Sequence, residues 1–324
     1  MKGTLWLAWR QQRALILVGA ALLVACAVWA AVQRADMMAF IADHRIPHCA
    51  GWDADECSGL DIEQAQRLLD DNVGALRALG TLSAALPVLI GVFWGAPLLG
   101  RELESGTWKL ALTQGVSIRR WFATRFTLAA VCAVIGSTVL AALVAWWWSP
   151  ISNMLNGLYW HDGYIFNATG PAAIACALFG LAAGTAAGLL LRRTLAAMGA
   201  VLAFVVGVRI LLNTFRSDWI SPIALTSRGG APRPYIGTGW STGEFGFIDA
   251  TGHKDAIADA CPWGPGLPDL KTCMAQKGYV GRYQKVYPSS DFWVLQWIET
   301  AIFVGLAAAL LALICVVLRR RAVL

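Results

Sequence analysis

PAAIACALFGLAAGTAAGLLLRRTLAAMGAVLAFVVGVRILLNTF, residues 171–215, holds two apolar runs of similar length interrupted only by Arg192, Arg193 and Thr194. A helix rises ~1.5 Å per residue and needs about 20 apolar residues to cross a ~30 Å hydrocarbon core, so residues 171–191 and 195–215 each have spanning length. Outward from this pair the pattern repeats. Residues 14–32 carry no charge, residues 79–99 and 292–318 are nearly as apolar, and residues 122–148 contain only Arg125 near their start. These six runs predict an all-α membrane protein with six transmembrane helices.

Composition agrees. Of 324 residues, 57% are hydrophobic and 14% charged, against roughly 25% charged in a soluble domain, which excludes an ordinary soluble enzyme. The net charge of +6 does not indicate nucleic acid, because the basic residues form short clusters between apolar runs and not a stripe interleaved with stacking aromatics. The first run, preceded by Lys2, Arg10 and Arg13, exceeds the h-region of a secretory signal and precedes five more spans, so a retained helix is expected.

Lysine and arginine placement sets the expected orientation. With the amino terminus inside, residues 1–13, 100–125, 192–193 and 319–321 become cytoplasmic; they hold 13 of the 26 basic residues but only two of the 20 acids, Glu102 and Glu104. Both termini are then cytoplasmic. Trp146, Trp147, Trp148, Trp219, Trp293 and Trp297 fall near outer helix ends, and Trp6, Trp9, Trp108 and Trp121 near inner ones, as an aromatic belt requires. Residues 33–78, 149–170 and 216–291 become external. Within them a short surface helix is expected over 61–78, capped by Asp61. The 216–291 stretch holds 11 of the 32 glycines and seven of the 12 prolines, which predicts a small, turn-rich external subdomain with little helix.

Cys26, Cys132, Cys176 and Cys315 lie within apolar spans and read as small buried hydrophobes. Cys49, Cys57, Cys261 and Cys273 all fall in external segments. Four cysteines allow three connectivities; Cys49 with Cys57 and Cys261 with Cys273 close the shortest loops and suit an oxidising exterior. His44 and His48 beside Cys49 suggest a metal site, but Pro47 interrupts a helical pair and the usual zinc spacings are absent, so no metal is expected. No Gly-Lys dipeptide occurs, so the chain has no Walker phosphate loop; no H-E-x-x-H or G-x-S-x-G occurs either. The chain is therefore expected to be neither an enzyme nor the holder of a cofactor.

The second span ends in Gly95-Ala96-Pro97-Leu98-Leu99-Gly100 and continues as Arg101-Glu102-Leu103-Glu104-Ser105-Gly106-Thr107. Thr113-Gln114-Gly115-Val116-Ser117-Ile118-Arg119-Arg120-Trp121 follows. These stretches resemble the R-E-x-E-S-G-T and T-Q-x-V-S-x-x-R-W patterns after the second helix of bacterial type 2 ATP-binding-cassette exporter permeases. Trp6, Trp9-Arg10 and Gln296-Trp297-Ile298-Glu299 are similar to that family as well, and the likeness covers the whole six-helix plan. The resemblance implies a bacterial inner-membrane permease that dimerises with a second permease subunit, as homodimer or heterodimer, and couples to cytosolic nucleotide-binding subunits holding ATP and Mg. Physically, Glu102, Glu104, Ser105 and Thr107 offer polar anchors to such a partner and Leu103 a knob for its pocket; the alternative is a solvated loop.

Residues 1–13 suit an interfacial amphipathic helix lying along the inner leaflet before the chain turns into the bilayer. Arg209 and Glu299 are ionisable residues within spans, and with Gln296 they could form an intramembrane pair or line an outer gate. Gly180, Gly184 and Gly188 form a small-residue strip that admits a close neighbouring helix, in the same subunit or across a dimer. Three functional classes follow: the permease of an ATP-driven exporter of amphipathic drugs, peptides or lipids; a sensor or mechanical transmitter moving its external subdomain; and a membrane-embedded enzyme, for which convergent catalytic groups are lacking.

Overall fold

The structure, a computed structural model, describes residues 2–44, 73–106, 117–152, 158–228, 238–256, 261 and 270–321. Cys49, Cys57, His48, Thr107 to Val116 and most of the expected 61–78 helix lie outside them. Among the described residues, six helices have the length and apolar character to cross a membrane.

The first, α1, runs from Lys2–Asp43 without a break. This corrects the expectation of a separate interfacial helix over 1–13. No proline and no glycine pair falls at the 13/14 junction, so nothing interrupts the hydrogen-bond ladder there. Trp6 and Trp9 are exposed on this extension while Ala8 and Gln12 are buried against the bundle. Forty-two residues of helix extend about 63 Å, roughly twice the hydrocarbon thickness, so α1 projects from the bilayer unless strongly tilted.

The second span is composite: α2 (Gly74–Ile90), a π-helical turn (Gly91–Gly95) and α3 (Ala96–Ser105). Pro87 removes one ladder donor just before the wide turn, where a local i→i+5 adjustment absorbs the mismatch. Gly106, with φ of 72°, ends α3 in the left-handed conformation that suits glycine. The third span, α4 (Ile118–Trp148), begins at Ser117, whose hydroxyl accepts the Arg120 N–H at 3.4 Å, an N-cap. A one-turn helix α5 (Gly163–Phe166) leads into α6 (Gly170–Leu191), α7 (Thr194–Phe215) and, after the sheet, α9 (Asp291–Arg321).

Helix α6 is the centre of the bundle. Its spanning window is 72% buried, against 6% for α1 and 22% for both α7 and α9, so α6 packs on all sides while those three turn apolar faces outward. Such faces suit lipid or another membrane helix. Gly180, Gly184 and Gly188 meet the second span of the same chain: a Cβ on Gly91 would sit 2.7 Å from the Gly180 carbonyl oxygen, one on Gly184 2.7 Å from the Ala96 nitrogen, and one on Gly188 2.5 Å from the Ala96 carbonyl oxygen. The neighbour left open by the sequence is thus intramolecular, and the backbones touch at the π-helical turn. Among the spanning cysteines, Cys176 is buried, Cys26 and Cys132 are half-buried, and Cys315 faces outward from α9, correcting its reading as a buried residue.

Beyond the bundle the chain is not all-α. An antiparallel sheet of β1 (Ile223–Arg228), β2 (Trp240–Asp249), β3 (Lys254–Ala256) and β4 (Tyr279–Tyr287) has the order β1-β4-β2-β3, with a short helix α8 (Leu270–Gln276). The glycines and prolines marked the turns, but the aromatics and β-branched residues of Tyr279–Tyr287 favour a pleated, half-buried surface. Phe247 and Met274 pack there with Cys261 and Cys273, whose sulfurs lie 2.04 Å apart. The sheet seats on the bundle through a core of Trp160, Phe166, Tyr287 and Leu295, flanked by Trp148, Trp219, Trp240 and Phe292.

Candidate functional site

At the arginine-rich end, the last turn of α3 carries Arg101, Glu102, Leu103, Glu104 and Ser105. The Glu102 carboxylate accepts the Arg125 Nη2–H at 2.8 Å, with side chains 20% and 8% exposed. Arg125 also bonds the Gln11 side-chain oxygen and stacks 4.7 Å over Trp121. Gln12 donates to the Arg125 carbonyl at 3.3 Å and accepts the Trp94 indole N–H at 2.9 Å. Two residues on, Glu104 Oε2 accepts both the backbone N–H and the hydroxyl of Thr194, at 3.0 and 2.8 Å. It thereby satisfies an orphan donor at the start of α7 from outside that helix. Leu103 packs into a cluster with Leu99, Phe122, Leu189 and Leu318.

Of the residues expected as anchors for a partner, Glu102 and Leu103 are packed within the chain, while Glu104 stays exposed as it accepts from Thr194. A carboxylate placed beside a buried guanidinium is held more firmly by that group than by water. The segment is thus riveted to α1, α4 and α7 together. What this end presents outward is Arg101, Glu104 and Ser105, with Arg10, Arg13, Arg119, Arg120, Arg192, Arg193, Arg319 and Arg320 around them. Gln11, Gln12, Trp94 and Thr194 were not singled out from sequence; two adjacent glutamines on a helix about to become wholly apolar were the available signal.

At the sheet end Glu299 pairs with Arg216 and not with Arg209. Arg216 Nε–H donates to Glu299 Oε1 at 2.8 Å, with side chains 4% and 3% exposed; its Nη2 donates to Asn167 Oδ1 at 2.8 Å and its guanidinium lies 3.8 Å over the Phe166 ring. Arg209 donates to the Ala84 carbonyl. Two arginines seven residues apart fall near one face, so depth alone does not distinguish them, and the short 3-10 turn Arg216–Trp219 swings the second inward. Gln296 is structural: it accepts the Ala172 N–H at 3.1 Å, in the first turn of α6, and donates to the Phe166 carbonyl at 2.9 Å. Gly170, at φ of 72°, leaves it room; a Cβ there would sit 2.5 Å from Gln296 Oε1. Between α6, α7 and α9 a small cavity is lined by Arg209, Arg216, Glu299 and Asn167 on its polar side and Leu212 and Phe303 on its apolar side.

Under the sheet, His161 stacks on Trp240 with ring centroids 5.3 Å apart and on Tyr159 at 5.7 Å, with Trp160 edge-on at 5.4 Å. Burial lowers its pKa from 6.5 to about 4, and Nδ1 has no hydrogen-bond partner among the described residues. A depressed folded pKa means the unfolded chain binds the proton more readily, so this stability is present above pH 6.5 and is lost as pH falls toward about 4. Neighbouring Asp162 is shifted up by burial and works in the opposite sense at lower pH. The sheet is therefore expected to loosen from the bundle between pH 6.5 and 5, seen as rising Trp240 solvent accessibility in fluorescence quenching. An identical profile for His161→Phe would refute the assignment.

A family model described as ABC-2 membrane transporter related matches residues 20–216. No curated protein and no solved structure matches the chain.

Proposed function

From the premise that this chain belongs to the ABC-2 membrane transporter related family, and is a multi-pass membrane transporter subunit, we propose that it is the permease of an ATP-driven exporter. It sits in a bacterial inner membrane with the arginine-rich end and both termini cytoplasmic and the sheet outside. ATP and Mg are held by separate nucleotide-binding subunits, and a second permease subunit completes the pathway.

The observation that carries the coupling role is the riveting of residues 101–106. Because Glu102 binds Arg125 and Gln11 binds the same guanidinium, while Glu104 binds the start of α7, a push on this segment is delivered to three helices as one body. The exposed arginines supply the contact charge for the partner. An amphipathic drug, peptide or lipid is the substrate class that suits outward apolar helices beside a few buried polar groups.

Co-purification tests this. The tagged chain is expected to retain a nucleotide-binding subunit, and the double substitution Arg119→Glu, Arg120→Glu to release it while leaving the thermal midpoint of the permease unchanged. Retention by the double variant would remove those arginines from the docking surface. In proteoliposomes, ATP hydrolysis that displaces the sheet yet moves no substrate would favour the mechanical-transmitter reading over export.

A further inference from the structure

Counting charge around the sheet-end cavity gives an unbalanced result. Arg216 and Glu299 neutralise each other at 2.8 Å, and Asn167 takes another Arg216 N–H. Arg209 lines the same cavity with only a carbonyl, that of Ala84, and forms no ion pair among the described residues. One positive charge is left over inside a spanning segment, where an unpaired cation is costly.

The cavity also has a defined mouth. Of its lining residues only Asn167 and Arg209 are not buried, so access runs past these two side chains. Next to it on α7, Ile210 is 62% and Leu211 55% exposed, on the apolar surface that faces outward from the bundle. A ligand entering here meets hydrocarbon-compatible side chains first and a cation second.

We propose that the mouth of this cavity, at Arg209, binds the anionic head of an amphiphile, a phosphate or carboxylate, with its alkyl chain lying along the outward face of α7. The anion completes the charge balance that Glu299 leaves short. Ile210 and Leu211, exposed beside Arg209, contact the first carbons of the tail. Binding stands on the geometry alone; that the bound amphiphile is the exported substrate rests on the transporter reading above.

The test uses the full-length chain in the neutral detergent dodecyl maltoside, titrated with dodecyl phosphate, inorganic phosphate or further dodecyl maltoside, and read by thermal midpoint and native mass spectrometry. Dodecyl phosphate is expected to raise the midpoint saturably and to appear as a single bound adduct. Arg209→Gln is expected to weaken it about tenfold or more, as removal of one partner of a desolvated charge contact does. Arg209→Lys keeps the charge and is expected to retain binding within about threefold by the same reasoning, which separates loss of a ligand contact from loss of fold. Arg34→Gln, whose guanidinium lies on Trp146 away from the cavity, is expected to bind as the parent does.

Equal binding by Arg209→Gln, or a response to dodecyl phosphate no larger than to added maltoside, would overturn the site. Inorganic phosphate binding as tightly as dodecyl phosphate would overturn the amphiphile. None of these readouts needs the ATPase: a failed titration with substrate-stimulated hydrolysis intact removes this site alone, whereas a clean titration with no ATPase partner removes the exporter and leaves the site.

Discussion

Replacing Glu299 with alanine while Arg216 remains is expected to destabilise the folded chain by about 3–5 kcal/mol, because the change strands a buried guanidinium. Both side chains are almost wholly enclosed and share a 2.8 Å hydrogen bond, so water cannot replace the lost carboxylate without opening the junction of α6, α7 and α9. Arg216→Met alone should cost a similar amount by leaving the carboxylate unmatched. The double substitution Arg216→Met with Glu299→Leu should recover most of the loss, since the pair's desolvation penalty disappears with its attraction. Unfolding in mixed micelles measures all three. Single variants within about 1 kcal/mol of the parent would instead be the signature of a solvent-screened pair.

Gly184→Val is the second large effect. Its Cβ would sit 2.7 Å from the Ala96 nitrogen, a main-chain atom that no rotamer change can move. Helix α6 would have to back away from the π-helical turn, costing about 3 kcal/mol or more in overpacking and lost contact along the span. Gly184→Ala should already fall most of the way. Gly305→Val on α9 is the control, since nothing lies within 4 Å of a Cβ there. Equal stability for Gly184→Val and Gly305→Val in detergent unfolding would mean that the two backbones do not meet as described.

The six spans were legible because length and hydrophobicity alone decide whether a helix belongs in hydrocarbon, and neither depends on tertiary context. The small-residue strip was legible for a related reason: Gly180, Gly184 and Gly188 repeat at four residues whatever they pack against. Partners were not legible. Glu102 next to several arginines reads as a solvated charge run, and only the fold brings Arg125 and Gln11 to it. Arg209 and Arg216 compete for one carboxylate, and a few residues of 3-10 geometry decide the winner. The sheet was missed because turn residues dominated the composition of residues 216–291, while its strands alternate in short runs that a count of glycine and proline does not register. Helix α1 was cut too early because tryptophan and arginine suggested a bend where no backbone cause for one exists.

Strands β1 and β4 are hydrogen-bonded neighbours, with Ile223 opposite Val286, and only a few residues separate them from the ends of α7 and α9. The ladder therefore acts as a clasp holding those two helices together at one extremity. A clasped pair of rods cannot part where it is fastened, so any scissoring between them opens from the far end, where Glu104 holds Thr194 and Leu318 packs beside Leu103. In such a lever, a modest displacement at the arginine-rich extremity becomes a small rotation at the cavity, enough to change the grip on whatever lies there while the sheet stays in place.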